Sequence, residues 1–160
     1  MLSKKNFTFK NIELTKKGPN IIILVSNLMI GAKSKPSHDI KEFHNFLQNL
    51  IESEISEHND SSQGPYHFSI IILGNIINPD LVQKQSILNA LLQHILHFHA
   101  TFYILNSPDA ELFESLEYLD RKKFILITEE DYIIIDQSDY QPNKIKILIS
   151  YDFKATSNLD

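Results

Sequence analysis

The chain contains no cysteine, which excludes disulfides, thiolate nucleophiles and zinc–thiolate sites outright. It has no long apolar run either. The longest, Ile21 to Val25 and Ile70 to Leu73, fall far short of the roughly 20 residues a membrane span needs. Met1 is followed by Lys4 and Lys5 without an apolar stretch of signal-peptide length, so the expectation is a cytoplasmic protein. Excess positive charge is also lacking. The formal net charge is -5, and no basic stripe marks a nucleic-acid footprint. The one concentration of lysines, Lys4, Lys5, Lys10, Lys16 and Lys17, reads as a solvated amino-terminal segment.

What is present is ordinary for a globular protein: 160 residues, 42% apolar and 22% charged, enough for one domain with a sizeable core. Short apolar runs alternate with longer stretches of helical periodicity. Ile21 to Val25 is β-branched and bounded by Gly18-Pro19-Asn20, which predicts a buried strand. From His38 to about Ile55, apolar residues recur at helical spacing, with Ser37 the expected N-cap behind Pro36. Phe68 to Leu73 is a second strand. Pro79 and Asp80 are expected to open a helix running to Leu96. Thr101 to Leu105, a short helix around Ala110 to Tyr118, and strands at Phe124 to Ile127, Tyr132 to Ile135 and Ile145 to Ile149 complete the pattern.

Short buried strands joined by amphipathic helices cannot be hairpins. The order therefore predicts an α/β fold with parallel pairing and right-handed crossovers. The β-rich last third either extends that sheet or faces it with a second one. Residues 1–19 read as an extension or an extra strand, and residues 20–160 as one domain.

In such sheets ligands bind beyond the carboxyl ends of the strands. The strands end in Ser26-Asn27, Gly74-Asn75, Asn106-Ser107 and Ser150-Tyr151-Asp152, which makes Asn27, Asn75, Asn106, Ser107 and Tyr151 the candidate ligand-binding residues. The alternative is that Asn, Ser and Gly merely make turns after strands.

At these same positions the sequence resembles the calcineurin-like metallophosphoesterase superfamily. Val25-Ser26-Asn27-Leu28-Met29-Ile30-Gly31 is similar to the family's (I/V)-S-D-L-H-(L/I)-G block, and Ile72-Leu73-Gly74-Asn75-Ile76-Ile77-Asn78 to its L-G-D-(I/L)-(F/I)-(D/E) block. Tyr103 to Asp109 sits where the family carries G-N-(H/R)-D, and Ile147 to Asp152 where it carries H-G-(D/H). The nearest pattern is that of the UDP-diacylglucosamine pyrophosphohydrolases, including the acidic pair Glu129-Glu130. The resemblance spans roughly residues 20 to 155 and implies a layered metallophosphoesterase-like β-sheet flanked by helices.

Family members hold two divalent metals, such as Mn²⁺ or Mg²⁺, with carboxylates and imidazoles. The matching positions here are Asn27, Met29, Asn75, Ser107 and Tyr151, none of them anionic at neutral pH. Pro108 stands where the family's general-acid histidine belongs, and Asp109, which braces that histidine in the family, keeps its identity. Two dications about 4 Å apart repel by roughly 16 kcal/mol at an effective dielectric of about 20, so the pair needs anionic ligands to assemble. The resemblance thus implies a degenerate, catalytically inactive relative without metal or cofactor, serving as a binding or scaffold module. In that reading Asn27 and Asn75 keep the shape of the lost carboxylates and hydrogen-bond the loops. The family's final Gly-His-x-His block has no counterpart, which points to a protein partner or a homodimer completing the sheet, or to a truncated product. A rewired hydrolase using Asp39, Asp109 and Asp152 is the enzymatic alternative.

Other constellations carry less. His94, His97 and His99 lack an accompanying carboxylate and read as surface histidines, as do His38, His44, His58 and His67. Gly31 and Gly74 stand outside any G-x-G-x-x-G or G-K-(S/T) setting, and Ser26, Ser107 and Ser150 outside G-x-S-x-G.

Overall fold

A computed structural model describes residues 9–12, 20–57, 66–105, 107–127, 132–135 and 145–150, with side chains for all but 9–12, 132–135 and 145–150. The elements follow in the order β1 (Phe9–Ile12), β2 (Asn20–Ser26), α1 (Pro36–Glu57), β3 (His67–Leu73), α2 (Lys84–Ile95), β4 (Ala100–Leu105), α3 (Ala110–Glu114), β5 (Phe124–Ile127), β6 (Tyr132–Ile135) and β7 (Ile145–Ser150).

Five strands form one sheet in the order β5-β4-β3-β2-β7, and every pairing in it is parallel. The expected α/β architecture is therefore present. Each of the first three crossovers moves one strand over in the same direction. Right-handed connections of that kind must lay their helices on one face, and the core shows that they do. Ile21, Ile23 and Val25 of β2, Phe68, Ile70 and Ile72 of β3, and Phe102 and Ile104 of β4 pack against Ile40, Phe43 and Leu47 of α1, Leu88, Leu91, Leu92 and Ile95 of α2, and Phe113 of α3. Each fully buried side chain of this kind contributes about 1.5–3 kcal/mol. The alternate residues of the strands, Ile22, Ile71, Tyr103 and Ile127, are buried on the opposite face. Burial on both faces is why these strands read as unbroken apolar runs rather than as alternating ones.

The β-rich last third divides between the two expected arrangements. β5 and β7 extend the main sheet at its two edges, whereas β6 pairs in parallel with β1 in a separate two-stranded sheet. The amino-terminal segment thus supplies an extra strand.

Three helix boundaries differ from expectation. α1 begins at Pro36, so Ser37 is inside the helix and not its cap. Proline suits the first helical position because its missing N–H would have been unsatisfied there anyway, and the Lys35 carbonyl accepts from the N–H groups of His38 and Asp39. α2 begins at Lys84 and not at Pro79. Asn78 Oδ1 accepts the Asp80 N–H at 3.2 Å, and this local side-chain turn competes with helix formation. α3 stops at Glu114, short of Tyr118.

At the far end of α2, the Lys123 ammonium donates to the carbonyls of Leu96 and Phe98. The helix leaves carbonyls without intrahelical partners there, and a cation also suits the negative end of the helix dipole.

Candidate functional site

β2 is flanked by β3 on one side and β7 on the other, so the loops that leave the carboxyl ends of β2, β3 and β4 lie side by side. The chain leaves β2 through three left-handed residues in alternation: Asn27 at φ 53°, Met29 at φ 48° and Gly31 at φ 90°. The intervening Leu28 and Ile30 are fully buried. The alternation therefore turns two apolar side chains down into the core and leaves Asn27 exposed and Met29 half-buried above it.

This loop is sewn to the one after β3. The N–H of Asn27 donates to the Leu73 carbonyl at 3.0 Å, that of Met29 to Asn75 at 3.2 Å, and that of Ile30 to Ile76 at 2.9 Å. Asn78 returns a bond to the Ile30 carbonyl at 3.0 Å. An isolated parallel bridge, Ile30 with Ile77, continues the sheet past the strand ends. Between the two loops Gly74 takes φ 78°, and a Cβ there would lie 2.7 Å from Asn27 Oδ1. Only a residue without a side chain lets the Asn27 amide lie over that backbone.

The loop after β4 joins from the other side. Asp109 Oδ2 accepts the backbone N–H groups of Ile76 at 2.8 Å and Ile77 at 3.1 Å, while the Asp109 N–H donates to Ser107 Oγ at 3.1 Å. Ser107 and Asp109 are both buried, and Pro108 between them is exposed. α1 makes the same kind of contact: the Asp39 carboxylate, buried in the first turn, accepts the Gly31 N–H at 2.8 Å.

Four of the positions singled out in the sequence, Asn27, Met29, Asn75 and Ser107, thus come together at one end of the sheet. Asn106 and Tyr151 lie outside the described residues, as do Asp152, Glu129 and Glu130. What ties these loops among the described residues is backbone, and neither the Asn27 nor the Asn75 amide makes a side-chain hydrogen bond to those residues.

Among the described residues the donor set at these loops does not suit a divalent-metal pair. Amide oxygens, a thioether and a hydroxyl already accepting from Asp109 are neutral, whereas hard dications require anionic oxygen. The described carboxylates bonded to these loops, Asp39 and Asp109, each spend an oxygen on backbone N–H groups. Among the described residues no group of three or more His, Asp or Glu side chains is placed to hold a metal ion. Nor is any helix among them long and apolar enough to cross a membrane.

Two contacts escaped the sequence reading. Asp39 is expected only as one of the residues of a rewired hydrolase, and nothing local announces its bond to Gly31. His44, 53 positions from His97 in the chain, brings its Nε2 to 3.3 Å from that of His97, a proximity that no spacing rule can anticipate. Comparison with protein-family models, with curated proteins and with solved structures finds no match to this chain.

Proposed function

We propose that the chain is a metallophosphoesterase-like domain that has lost its metal centre and acts as a binding or scaffold module, presenting Asn27, Met29 and Asn75 at the carboxyl end of its parallel sheet. The observation that carries this reading is the pair of left-handed residues at Asn27 and Met29. Left-handed backbone costs about 1–2 kcal/mol for an ordinary side chain. Asn, Asp and His are the non-glycine residues several-fold enriched there. The family block that this segment resembles places Asp and His at these two positions, the residue types best suited to the conformation. Asn27 still meets the requirement, and Met29 does not. A strained loop retained without the residues that suit it is what replacement of metal ligands on an inherited backbone would leave behind.

The burial of Asp39 and Asp109, each with one oxygen on backbone N–H groups, favours this reading over a rewired hydrolase, because a general base must reach the proton it takes from a substrate. Calorimetric titration with Mn²⁺, run beside hydrolysis of bis-p-nitrophenyl phosphate, tests it. Silence in both is expected. Micromolar Mn²⁺ binding with turnover would overturn the reading.

A further inference from the structure

The second cluster lies at the other end of the helical layer. His44 projects from α1 toward the turn that follows α2, where its ring centroid lies 5.0 Å from that of His97 and 5.2 Å from that of Phe98. The two Nε2 atoms are 3.3 Å apart. A long hydrogen bond between the rings spans that distance, which also matches the separation of two nitrogens on one tetrahedral ion, about 3.4 Å for bonds of about 2.0–2.1 Å.

The surroundings prepare His44 as a ligand. Its Nδ1 lies 3.3 Å from Asn45 Oδ1. With that oxygen accepting, Nδ1 carries the proton and Nε2 presents its lone pair toward His97. Such a bond on the remote ring nitrogen is the usual companion of a metal-bound imidazole. His94, whose ring centroid is 6.3 Å from that of His44, points its Nδ1 at the Ala90 carbonyl 3.0 Å away. A carbonyl only accepts, so this Nδ1 is also protonated.

We propose that His44 and His97 form a two-imidazole site for a transition-metal ion of the Zn²⁺, Ni²⁺ and Cu²⁺ group, joining α1 to the α2–β4 turn. Binding requires the proton of neutral His97 to reside on Nδ1, which frees Nε2 to coordinate. Water completes the coordination, because no third ligating side chain is in place among the described residues. Imidazole nitrogen suits these ions and not the hard cations, so Mg²⁺ and Mn²⁺ are rejected. The site is independent of the strand-end loops and of their proposed history.

Titration of the full chain with Zn²⁺, Ni²⁺ and Cu²⁺ tests this, with Mg²⁺ as the control. One ion per chain is expected, with Cu²⁺ bound tightest and a Cu²⁺ electron paramagnetic resonance spectrum showing coupling to two imidazole nitrogens. His97→Ala and His44→Phe should each weaken binding at least tenfold. The phenyl ring of His44→Phe keeps the packing on Phe98 while removing the ligand, so lost binding in a variant with unchanged circular dichroism is not a folding defect. His38→Ala, at a histidine that faces Glu42 at 3.8 Å, should leave the affinity unchanged. Undiminished binding in His44→Phe and His97→Ala, or no binding by the unsubstituted chain, would overturn the site.

Discussion

Asn27 lies over Gly74 so closely that a Cβ at position 74 would sit 2.7 Å from Asn27 Oδ1. Gly74→Ala should therefore destabilise the protein twice over. It should lose about 1–2 kcal/mol from the left-handed backbone at φ 78°, and more from the displaced amide. Asn27→Gly removes the colliding side chain and tolerates φ 53°, so it should recover the steric part in the Gly74→Ala background. A double-mutant cycle in urea reads the coupling directly. Simple additivity of the two substitutions would mean that the Asn27 amide swings aside at no cost.

The Asp109 carboxylate is expected to be the most costly polar group to remove at this end of the sheet. Its Oδ2 satisfies two backbone N–H groups, those of Ile76 and Ile77, and bonds to charged acceptors contribute about 1.5–3 kcal/mol each. Asp109→Ala should lower stability by about 3 kcal/mol or more, since both donors are left buried without a partner. Asp109→Asn retains an acceptor oxygen and should cost less than half as much. Hydrogen exchange at the Ile76 and Ile77 amides provides a local readout: faster exchange in Asp109→Ala, well ahead of global unfolding, identifies the bond as the cause.

Lys123 acts at a distance from these loops. Its ammonium caps the carbonyls of Leu96 and Phe98 and so fixes the turn between α2 and β4. Lys123→Met keeps the aliphatic stem and deletes only the charge and the donors. A loss of about 1 kcal/mol is expected from the bonds and the helix dipole together, measured as a lower denaturation midpoint with an unchanged slope. A value near zero would mean that water replaces the ammonium at no cost.

Much of the fold was legible because strands buried on both faces leave an unmistakable mark: Ile21 to Val25, Phe68 to Leu73 and Phe124 to Ile127 all fall inside observed strands. The crossover rule supplied the parallel pairing but not the place of β7 beside β2. Helix starts were less legible. Ser37 and Pro79 each carry a start signal that competes with another, and Pro36 and the Asn78 turn prevailed. At the strand ends, the asparagines could be placed but not their contacts, since a loop of alternating left-handed residues has no composition of its own beyond Gly31. Asp39 with Gly31 and His44 with His97 are juxtapositions created by packing α1 on the sheet and on α2. Tertiary contacts of that kind leave no periodic trace along the chain.

If the strand-end loops descend from a metal site, restoring the ligands should restore the metal. In the triple variant Asn27→Asp, Met29→His and Asn75→Asp, the new side chains arise on adjacent loops already tied by the Met29–Asn75 bond of 3.2 Å. Asp and His also suit the left-handed conformations at positions 27 and 29 better than most residues do. Without metal the variant should be less stable than the parent by about 1 kcal/mol, because two carboxylates now face each other near the surface. With Mn²⁺ at about 100 times its dissociation constant, the native state should gain about 2.7 kcal/mol, reversing the order of stability. Thermal unfolding with and without Mn²⁺ reads both signs in one experiment, while the parent should be indifferent to the ion. A variant that folds but also ignores Mn²⁺ would show that these positions do not converge as a metal site requires, and the descent of the domain would have to be sought elsewhere.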